Sequence, residues 1–489
     1  MNSIHTVDTL DRLTQGTVLR PADAGYDEAR SGFQAAYQHR PSVIVRATGT
    51  GDVQAAVRYA AARELPVAVQ SSGHGLAVAT EGGVLVDTGG MADVRVDPGA
   101  RTARVAAGTR WGDVVLAAAR HGLAPLSGSS PDVGAVGYTL GGGLGVLSRE
   151  YGYAADHVRA VELVTADGSV REVTAGADPE LFWAVRGAGA NFGVATGMEI
   201  GLVPVRRLYG GGLYFDTALV PEVLAAYREW TATVPEALTT SVGLIPYPDL
   251  PMVPEPLRGR YLAHVRIAYT GSVAEGERLV EPLRAVGPRV LDTLGELPYT
   301  ESPSIYRDPT QPHGYYGTNA MLAELAEPVA RTVLDLVGPD SPVPCVVQLN
   351  HLGGALSRPP SVPNAVAHRE AAYLLRVLAV VDSTADSTAD GTVDGTGDGI
   401  VDSTVDGTGD GIVDGTAPSP ARSAPTRLTD ALREWTLGRS PNFVFGEQST
   451  PDQVRDCYRA ADYPRLARLK AELDPANLFR CNLNIPPAA

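Results

Sequence analysis

The chain has 489 residues, 44% of them hydrophobic, and a formal net charge of −16. A single hydrophobic core rarely organises a chain of this length, so two domains are expected. The acidic balance disfavours nucleic acid or an anionic membrane surface as a partner. Three cysteines do not make a disulfide framework, and no apolar run approaches the ~20 residues of a membrane helix. With no signal-like N-terminus, the expected compartment is the cytoplasm.

Short strands and helices alternate over roughly the first 205 residues, which predicts a mixed α+β domain. A strand at 42–45 precedes a helix for which Asp52 is the expected N-cap. The next strand, 67–69, leads into a turn of small residues. Further elements are strands at 83–86, 103–106 and 192–203, a helix at 111–120, a hairpin turning at Asp167-Gly168, and a helix that starts at Asp178-Pro179.

The turn after the strand at 67–69 is the first candidate site, and it reads Gln70-Ser71-Ser72-Gly73-His74-Gly75. Small residues let backbone N–H groups approach a diphosphate closely, and serine hydroxyls add donors. A histidine fixed in such a turn would lie against whatever the diphosphate carries. A lone Gly-His-Gly is more often an ordinary tight turn, so the prediction depends on further segments.

A second segment, Gly134 to Gly145, is exceptionally rich in glycine. Each glycine costs roughly 0.5–1 kcal/mol relative to alanine in a helix or strand, which predicts a loop. The dinucleotide-binding pattern G-x-G-x-x-G is not matched, because Gly143-Leu144-Gly145 continues as Val-Leu-Ser. A loop around a large planar ligand fits better. A third segment, Gly187 to Gly193, leads into the strand at 192–203.

From about residue 206 the pattern changes to long strands. They are predicted at 209–215, 263–269 and 343–349, with helices at 220–233 and 323–337 between them. Residues 382–416 then repeat Asp every four positions among Gly and Thr, which predicts a disordered acidic loop running to about 421. The repeat lacks the Gly-Gly-x-Gly-x-Asp pattern of calcium-binding β-rolls, and no metal site is predicted.

Four separated motifs resemble the berberine-bridge-type FAD-linked oxidases of the vanillyl-alcohol-oxidase, or PCMH-type, superfamily. They are Ser72-Gly73-His74, the segment 134–145, the segment 187–193, and Asp474-Pro475-x-Asn477-Leu478-Phe479 followed by Asn482-x-Asn484-Ile485-Pro486-Pro487. The resemblance runs from about Pro41 to Pro487, except for the Asp-rich repeat.

The resemblance implies a two-domain α+β fold. An FAD-binding domain is expected over 1–205, with its core at about 38–205. A substrate domain, an antiparallel sheet flanked by helices, is expected over 206–440 and is interrupted by the loop 382–421. Residues 441–489 are expected to return to the FAD-binding domain.

The resemblance also implies FAD bound covalently through His74. Ser130 stands where some relatives carry a second, cysteinyl link, so a single covalent bond is expected. The implied cofactor-binding residues are Gln70, Ser71, Ser72, Gly73, His74, Gly75, Leu76, Ser130, Val133, Gly134, Gly137, Thr139, Gly141, Gly142, Gly145, Asp156, His157, Gly189, Gly193, Val194, Asn482 and Asn484.

Flavin-dependent oxidation needs a group that takes a proton while hydride moves to the flavin. Many members of the family use the tyrosine of a Tyr-x-Asn segment, where this chain has Ser440-Pro441-Asn442. The predicted catalytic residues are therefore Tyr138, Gln348 and Asn350, the last two sharing one strand face. The nearby His351, and also His368, are further candidates that ordinary packing explains equally well.

The function implied is an oxidase that uses O₂ as electron acceptor and acts on a small organic molecule, expected to be a bacterial secondary metabolite. Because the family tyrosine is missing, two alternatives stay open. One is a flavin-bearing drug-binding or resistance protein, and the other is a flavin-dependent oxygenase or cyclase. A monomer or homodimer is expected, with neither nucleic acid nor a membrane as partner.

Overall fold

The computed structural model describes residues 6–381 and 419–489. The predicted Asp-rich loop lies outside these residues, except that a helix already begins at Pro420, just before the predicted end at 421. The helices are α1 (Val7–Leu13), α2 (Tyr26–Arg30), α3 (Thr50–Ala62), α4 (Trp111–Ala119), α5 (Ala135–Leu140), α6 (Ser148–Tyr151), α7 (Pro179–Ala188), α8 (Val220–Thr231), α9 (Val273–Arg284), α10 (Glu327–Val337), α11 (Pro420–Ala431), α12 (Pro451–Arg455) and α13 (Asp462–Leu473). In these described parts, no helix combines the length and apolar character that a bilayer crossing requires.

The first of three sheets in the described chain has four strands. They are β1 (Thr17–Leu19), β2 (Val43–Arg46), β3 (Val67–Gln70) and β4 (Val84–Asp87), in the order β1-β2-β4-β3. β2 and β3 each pair with β4 in parallel, so the carboxyl end of β3 meets that of β4 at one sheet edge. Buried valines of β2, β3 and β4 pack with α3 in one cluster.

Asp52 is not the N-cap that the sequence predicted. α3 begins at Thr50, and the Asp52 carboxylate accepts the backbone N–H groups of Gln15 at 2.7 Å and Thr48 at 2.8 Å. The prediction failed because the acceptor serves the N-terminal segment of the chain instead of its own helix.

The second sheet is antiparallel and has five strands in the order β5-β6-β9-β7-β8. They are β5 (Val94–Asp97), β6 (Thr102–Ala106), β7 (Val158–Val164), β8 (Val170–Thr174) and β9 (Val194–Gly201). Apolar residues of α4, α5 and α7 cover it, and the predicted cap Asp178 accepts the Leu181 N–H at the start of α7.

The glycine-rich segment is not entirely a loop, because its first half forms α5. Gly134 and Gly141 lie at the two ends of this helix, and only Gly137 lies within it. Ala135 and Leu140 are buried in the core of the second sheet, and that packing stabilises a turn of helix that local propensity disfavours.

The third sheet has nine antiparallel strands. They are β10 (Arg207–Asp216), β11 (Leu238–Pro246), β12 (Tyr261–Tyr269), β13 (Leu291–Asp292), β14 (Gly295–Pro298), β15 (Gly314–Leu322), β16 (Val346–His351), β17 (Tyr373–Val381) and β18 (Thr436–Gly438). Their order is β13-β10-β12-β11-β16-β17-β15-β18, with β14 also on β10. α10 and β16 begin later than predicted, at Glu327 and Val346. The predicted antiparallel sheet flanked by helices is confirmed.

The two faces of the third sheet differ in character. One face presents leucines and valines that pack with α8, α10 and α11 in the largest apolar cluster. The other face carries polar side chains. Gln348 lies opposite Arg376 on one side and Gly243 on the other, and Ser241 lies between Arg266 and Asn350.

The C-terminal segment contacts the first two sheets. The carbonyl of Leu478 accepts the N–H of Val67 at the start of β3, at 2.9 Å. The side chain of Asn191 accepts the N–H of Ile485 at 2.9 Å and donates to the carbonyl of Leu483 at 3.0 Å. This segment therefore lies against the strand that leads into the His74 turn.

Candidate functional site

The turn after β3 and the glycine-rich segment meet, as the sequence predicted. The hydroxyl oxygen of Ser72 lies 2.9 Å from His74 Nδ1 and accepts the N–H of Gly134 at 3.2 Å. When Nδ1–H donates to that oxygen, the lone pair of the neutral ring is on Nε2. The Nε2 atom is buried and has no hydrogen-bond partner.

The surroundings of His74 keep its ring neutral. Burial lowers the pKa of His74 to about 4; Asp132 opposes this shift and Arg110 adds to it. The ring stacks on Phe33 with centroids 3.9 Å apart and planes 11° apart. The Tyr315 hydroxyl donates to the His74 carbonyl at 3.1 Å. The imidazole is thus fixed in place, uncharged at neutral pH and nucleophilic.

An N-terminal segment binds the outside of this turn. The N–H groups of Phe33 and Gln34 donate to the carbonyls of Ser72 and Gly73, each at 3.1 Å. Gly73 has φ 67°, and a Cβ there would collide with Gly32. The close approach of two backbones therefore requires glycine at this point. Sequence analysis did not single out Phe33, because its role depends on contacts with His74 and Ser72, which are distant in sequence.

The glycine-rich segment is held from the C-terminal side by Asn442. Its side chain donates to the Tyr138 carbonyl at 3.0 Å and accepts the Gly143 N–H at 3.2 Å. A Cβ at Gly141 would meet this amide, whereas space is open beside Gly137. The predicted Thr139 points inward and donates to the Ala135 carbonyl at 2.8 Å.

Tyr138 packs its ring between Gly128 and Trp111, whose ring centroid is 5.4 Å away. Its hydroxyl is buried and has no partner in the described chain. Burial raises its pKa well above 10, and the neighbouring Tyr299 adds to the shift. This environment disfavours the phenolate that a proton acceptor would need.

Gln348 and Asn350 share the polar side of the third sheet, as their spacing predicted. The amide of Gln348 donates to Asn350 Oδ1 at 3.1 Å, and Arg376 donates to Gln348 Oε1 at 3.4 Å. The next residue, His351, lies on the opposite face beside Tyr373. His368 is also separate, because its Nε2 donates to the Asp456 carbonyl at 2.9 Å.

Two predicted cofactor residues have side chains engaged elsewhere. The Asp156 carboxylate pairs with Arg369 at 2.6 Å and accepts from Asn364 at 2.7 Å. His157 Nε2 donates to the Tyr151 carbonyl at 2.8 Å. These contacts hold both side chains against the protein itself.

The remaining predicted residues follow the chain around the same region. Ser71, Gly75 and Leu76 belong to the turn, Ser130 and Val133 precede α5, Gly142 and Gly145 follow it, and Gly189, Gly193 and Val194 lead into β9. Gly193 has φ 156°, and a Cβ there would strike the Val164 carbonyl. Space beside Gly75 and Gly189 is open.

Unpartnered buried polar atoms test whether these residues fit FAD. They include Gln70 Oε1, His74 Nε2, Asn482 Oδ1 and Asn484 Oδ1. These are hydrogen-bonding or nucleophilic groups, and all except Gln70 belong to the motifs on which the resemblance rests. Buried polar atoms normally have partners, so a polar ligand along the turn and the C-terminal segment satisfies them. The residues fit the cofactor.

A second imidazole has a similar free nitrogen. His39, 2% exposed, accepts the Thr80 N–H at 3.1 Å through Nδ1, while its Nε2 is buried without a partner. Burial lowers its pKa to about 4 as well. His39 differs from His74 in lying away from the glycine-rich segment, beside the 80–82 loop.

Two family models match this chain. The FAD binding domain matches residues 41–174, and the berberine and berberine-like family matches residues 442–486. (R)-6-hydroxynicotine oxidase of Paenarthrobacter nicotinovorans is 29% identical, and the alignment covers 97% of each chain. Chitooligosaccharide oxidase of Gibberella zeae is 25% identical over 98% of this chain and 94% of that protein.

Solved structures of related proteins superimpose on nearly the whole chain. 6-Hydroxy-D-nicotine oxidase from Arthrobacter nicotinovorans superimposes with a TM-score of 0.77 at 27% identity, covering 97% of this chain and 98% of that one. The berberine-bridge-like protein 1 of Physcomitrella patens gives 0.80 at 19% identity, covering 99% and 100%, which speaks for the fold alone.

Proposed function

Because the chain belongs to the berberine-bridge-type FAD-linked oxidases, we propose that it oxidises a small organic molecule at an FAD attached covalently to His74. When bound, the cofactor accepts a hydride from the substrate and passes the electrons to O₂. The observation that carries the proposal is the neutral His74 ring with its unpartnered Nε2 at the meeting point of the turn and the glycine-rich segment.

Cofactor binding and substrate binding are assigned to different parts of the chain, as the family organisation implies. Residues 1–205 and 441–489 hold the cofactor, and residues 206–440 supply the substrate side. Gln348 and Asn350 orient the substrate by hydrogen bonds, since a carboxamide is not basic enough to take a proton at neutral pH. Tyr138, which sequence reasoning named as proton acceptor, stays a prediction that its buried, unpartnered hydroxyl disfavours.

Other expectations remain proposals of the same kind. Cytoplasmic location is supported by Cys345, Cys457 and Cys481, which are all unpaired. Assembly as a monomer or homodimer, and a bacterial secondary metabolite as substrate, rest on the sequence alone. The names of two relatives contain 6-hydroxynicotine and chitooligosaccharide, so these compounds should be tested first in a substrate panel.

Acid precipitation of the purified protein tests the attachment. We expect the flavin to stay with the pellet, and His74→Ala to release it. His39→Ala is the matched control, because it removes another buried imidazole with an unpartnered nitrogen and should retain the flavin. Free flavin from the parent protein would contradict the covalent bond.

Oxygen consumption and peroxide yield test the reaction. An oxidase forms about one peroxide per substrate oxidised, because both electrons of the hydride reach O₂. Incorporation of oxygen into the product would favour an oxygenase instead. Substrate binding without turnover would favour a drug-binding protein.

A further inference from the structure

One face of the third sheet carries a row of polar side chains, which we call the polar face: Ser241, Arg266, Gln348, Asn350 and Arg376. They come from β11, β12, β16 and β17, and cross-strand register puts them on the same side. The opposite side of the same strands is apolar and is covered by helices. The polar face therefore lies outside the sheet's helix-covered core.

Two arginines of the polar face have buried N–H donors without an acceptor. Arg266 is 4% exposed, and its Nε and one terminal nitrogen are buried without a partner. Arg376 Nε is likewise unpartnered. Neither guanidinium forms an ion pair with any residue of the described chain. The Arg266 guanidinium lies 4.7 Å from the centroid of the Tyr306 ring, and that of Arg376 lies 3.9 Å from the Phe443 ring.

Another buried arginine, Arg186, has an acceptor for each of its nitrogens, whereas Arg149 also leaves its buried Nε without a partner. Arg186, 0% exposed, donates to the carbonyls of Phe182, Ala155, Val362 and Pro363. On the polar face, Arg376 has the Gln348 amide oxygen as an acceptor, but its Nε and two nitrogens of Arg266 have none, and a buried charge without a charged partner is unfavourable.

The neighbouring acidic residue Asp308 forms no ion pair with either arginine in the described chain. Asp308 influences Arg376 electrostatically, but it lies beyond ion-pair distance and accepts a hydrogen bond from Ser129 instead. Arg307 adds a further positive charge near His264, whose two ring nitrogens are also buried and unpartnered. The region therefore has an excess of positive charge and of donors.

The polar face and the cofactor turn border one site. Tyr315, which donates to the His74 carbonyl, lies in the field of Arg376. Asp308 acts on both His74 and Arg376. Arg376 also packs on the ring of Phe443, whose neighbour Asn442 binds the glycine-rich segment.

We propose that the polar face binds a carboxylate of the substrate, with Arg266 and Arg376 as the residues that select acidic substrates. A planar guanidinium matches a carboxylate through paired N–H donors, and the Tyr306 and Phe443 rings hold the two side chains in place. This inference rests on the proposed function, because it takes the polar face to be the substrate side of the flavin.

Ligand pairs that differ only in charge test it. Benzoate is compared with benzamide, and acetate with acetamide, by the rise in melting temperature and by the change in the flavin absorption spectrum. We expect the carboxylates to bind and the amides to bind at least tenfold more weakly. Equal binding of acid and amide, or no binding of either carboxylate, would overturn the proposal.

Variants test whether Arg266 and Arg376 are the residues that bind the carboxylate. Arg266→Gln and Arg376→Gln should each weaken benzoate binding at least tenfold. Arg207→Gln, which removes a surface arginine paired with Glu296 on the same sheet, should leave it unchanged. Without ligand, the two glutamine variants should melt no lower than the parent. Benzoate binding that stays unchanged in both glutamine variants would overturn the proposal. Arg266→Lys and Arg376→Lys keep the charge and serve if a glutamine variant does not fold.

Flavin retention after acid precipitation is measured on the same samples. Protein without flavin that still prefers benzoate would contradict the proposed function and leave the carboxylate site standing. Flavin-loaded protein that binds benzamide and benzoate equally tightly would contradict the carboxylate site and leave the proposed function standing.

Discussion

Burial shifts the pKa values of two side chains of the site in opposite directions. It lowers the pKa of His74 to about 4 and raises that of Tyr138 well above 10, so both are neutral at pH 7. A neutral imidazole has a free lone pair and can attack an electrophile. A neutral phenol must lose a proton before it can accept one, and no base contacts the Tyr138 hydroxyl in the described chain.

Tyr138→Phe separates packing from proton transfer. Because the hydroxyl has no partner, we expect flavin reduction by substrate to stay within about twofold of the parent, and stability to be equal or slightly higher. Anaerobic stopped-flow measurement gives the rate. A loss of about 10²-fold or more, the usual size of a general-base effect, would restore Tyr138 as the proton acceptor.

At the scale of single elements, α13 anchors the C-terminal segment through a buried ion pair. Lys470 Nζ and Asp474 Oδ2 are 2.7 Å apart, and both side chains are fully buried. Asp474 also accepts the N–H groups of Leu478 and Phe479, at 2.7 and 3.0 Å. The Asp-Pro-x-Asn-Leu-Phe motif is therefore a structural clamp next to β3.

Removing one charge of this clamp should be costly. Asp474→Asn leaves Lys470 buried and unpaired, so we expect a loss of about 3–5 kcal/mol in the free energy of unfolding. The control is Asp452→Asn, which breaks an exposed pair with Arg455 and should cost about 0–1 kcal/mol. Urea unfolding followed by fluorescence measures both. Equal losses in the two variants would show that the clamp is unimportant.

Elements differed in how far the sequence predicted them. Strand alternation predicted the third sheet and the shared face of Gln348 and Asn350, because the period of two is local. Helix α5 was missed, since its stability comes from contacts with the second sheet and not from its own residues. The cap role of Asp52 was wrong for the same reason.

At the scale of the whole molecule, stability should depend on pH through buried histidines. Burial lowers the pKa of His39 to about 4 and that of His351 to about 3. In the unfolded chain they titrate near 6.5, so below that pH the unfolded state binds more protons than the folded one. The free energy of unfolding therefore decreases as pH falls from about 6.5 towards about 4.

Calorimetry across this range checks the sign. We expect the melting temperature to be nearly constant above pH 7 and to fall steadily below pH 6.5, at constant ionic strength. His39→Gln should reduce the slope, because it removes one of the groups that must be protonated on unfolding. A melting temperature that stays constant or rises down to pH 4.5 would contradict this account.

The candidate site was only partly predictable. The turn, the glycine-rich segment and the C-terminal motif were recognisable because each is contiguous in sequence. Arg266 and Arg376 were not singled out, although His264 and Arg266 interrupt an apolar strand with the period of two. Their meaning appears only when register places β12 and β17 in one sheet and shows which atoms lack partners.

A tryptic map of the flavin-loaded protein tests the central claim most directly. His74 is the only histidine of the peptide Glu64–Arg95, and His39 falls in the separate peptide Ser31–Arg46. We predict that Glu64–Arg95 carries the added mass and the visible absorbance of the flavin, and that fragmentation places them on His74. An unmodified Glu64–Arg95, or flavin on Ser31–Arg46, would contradict the assignment of His74 as the attachment site.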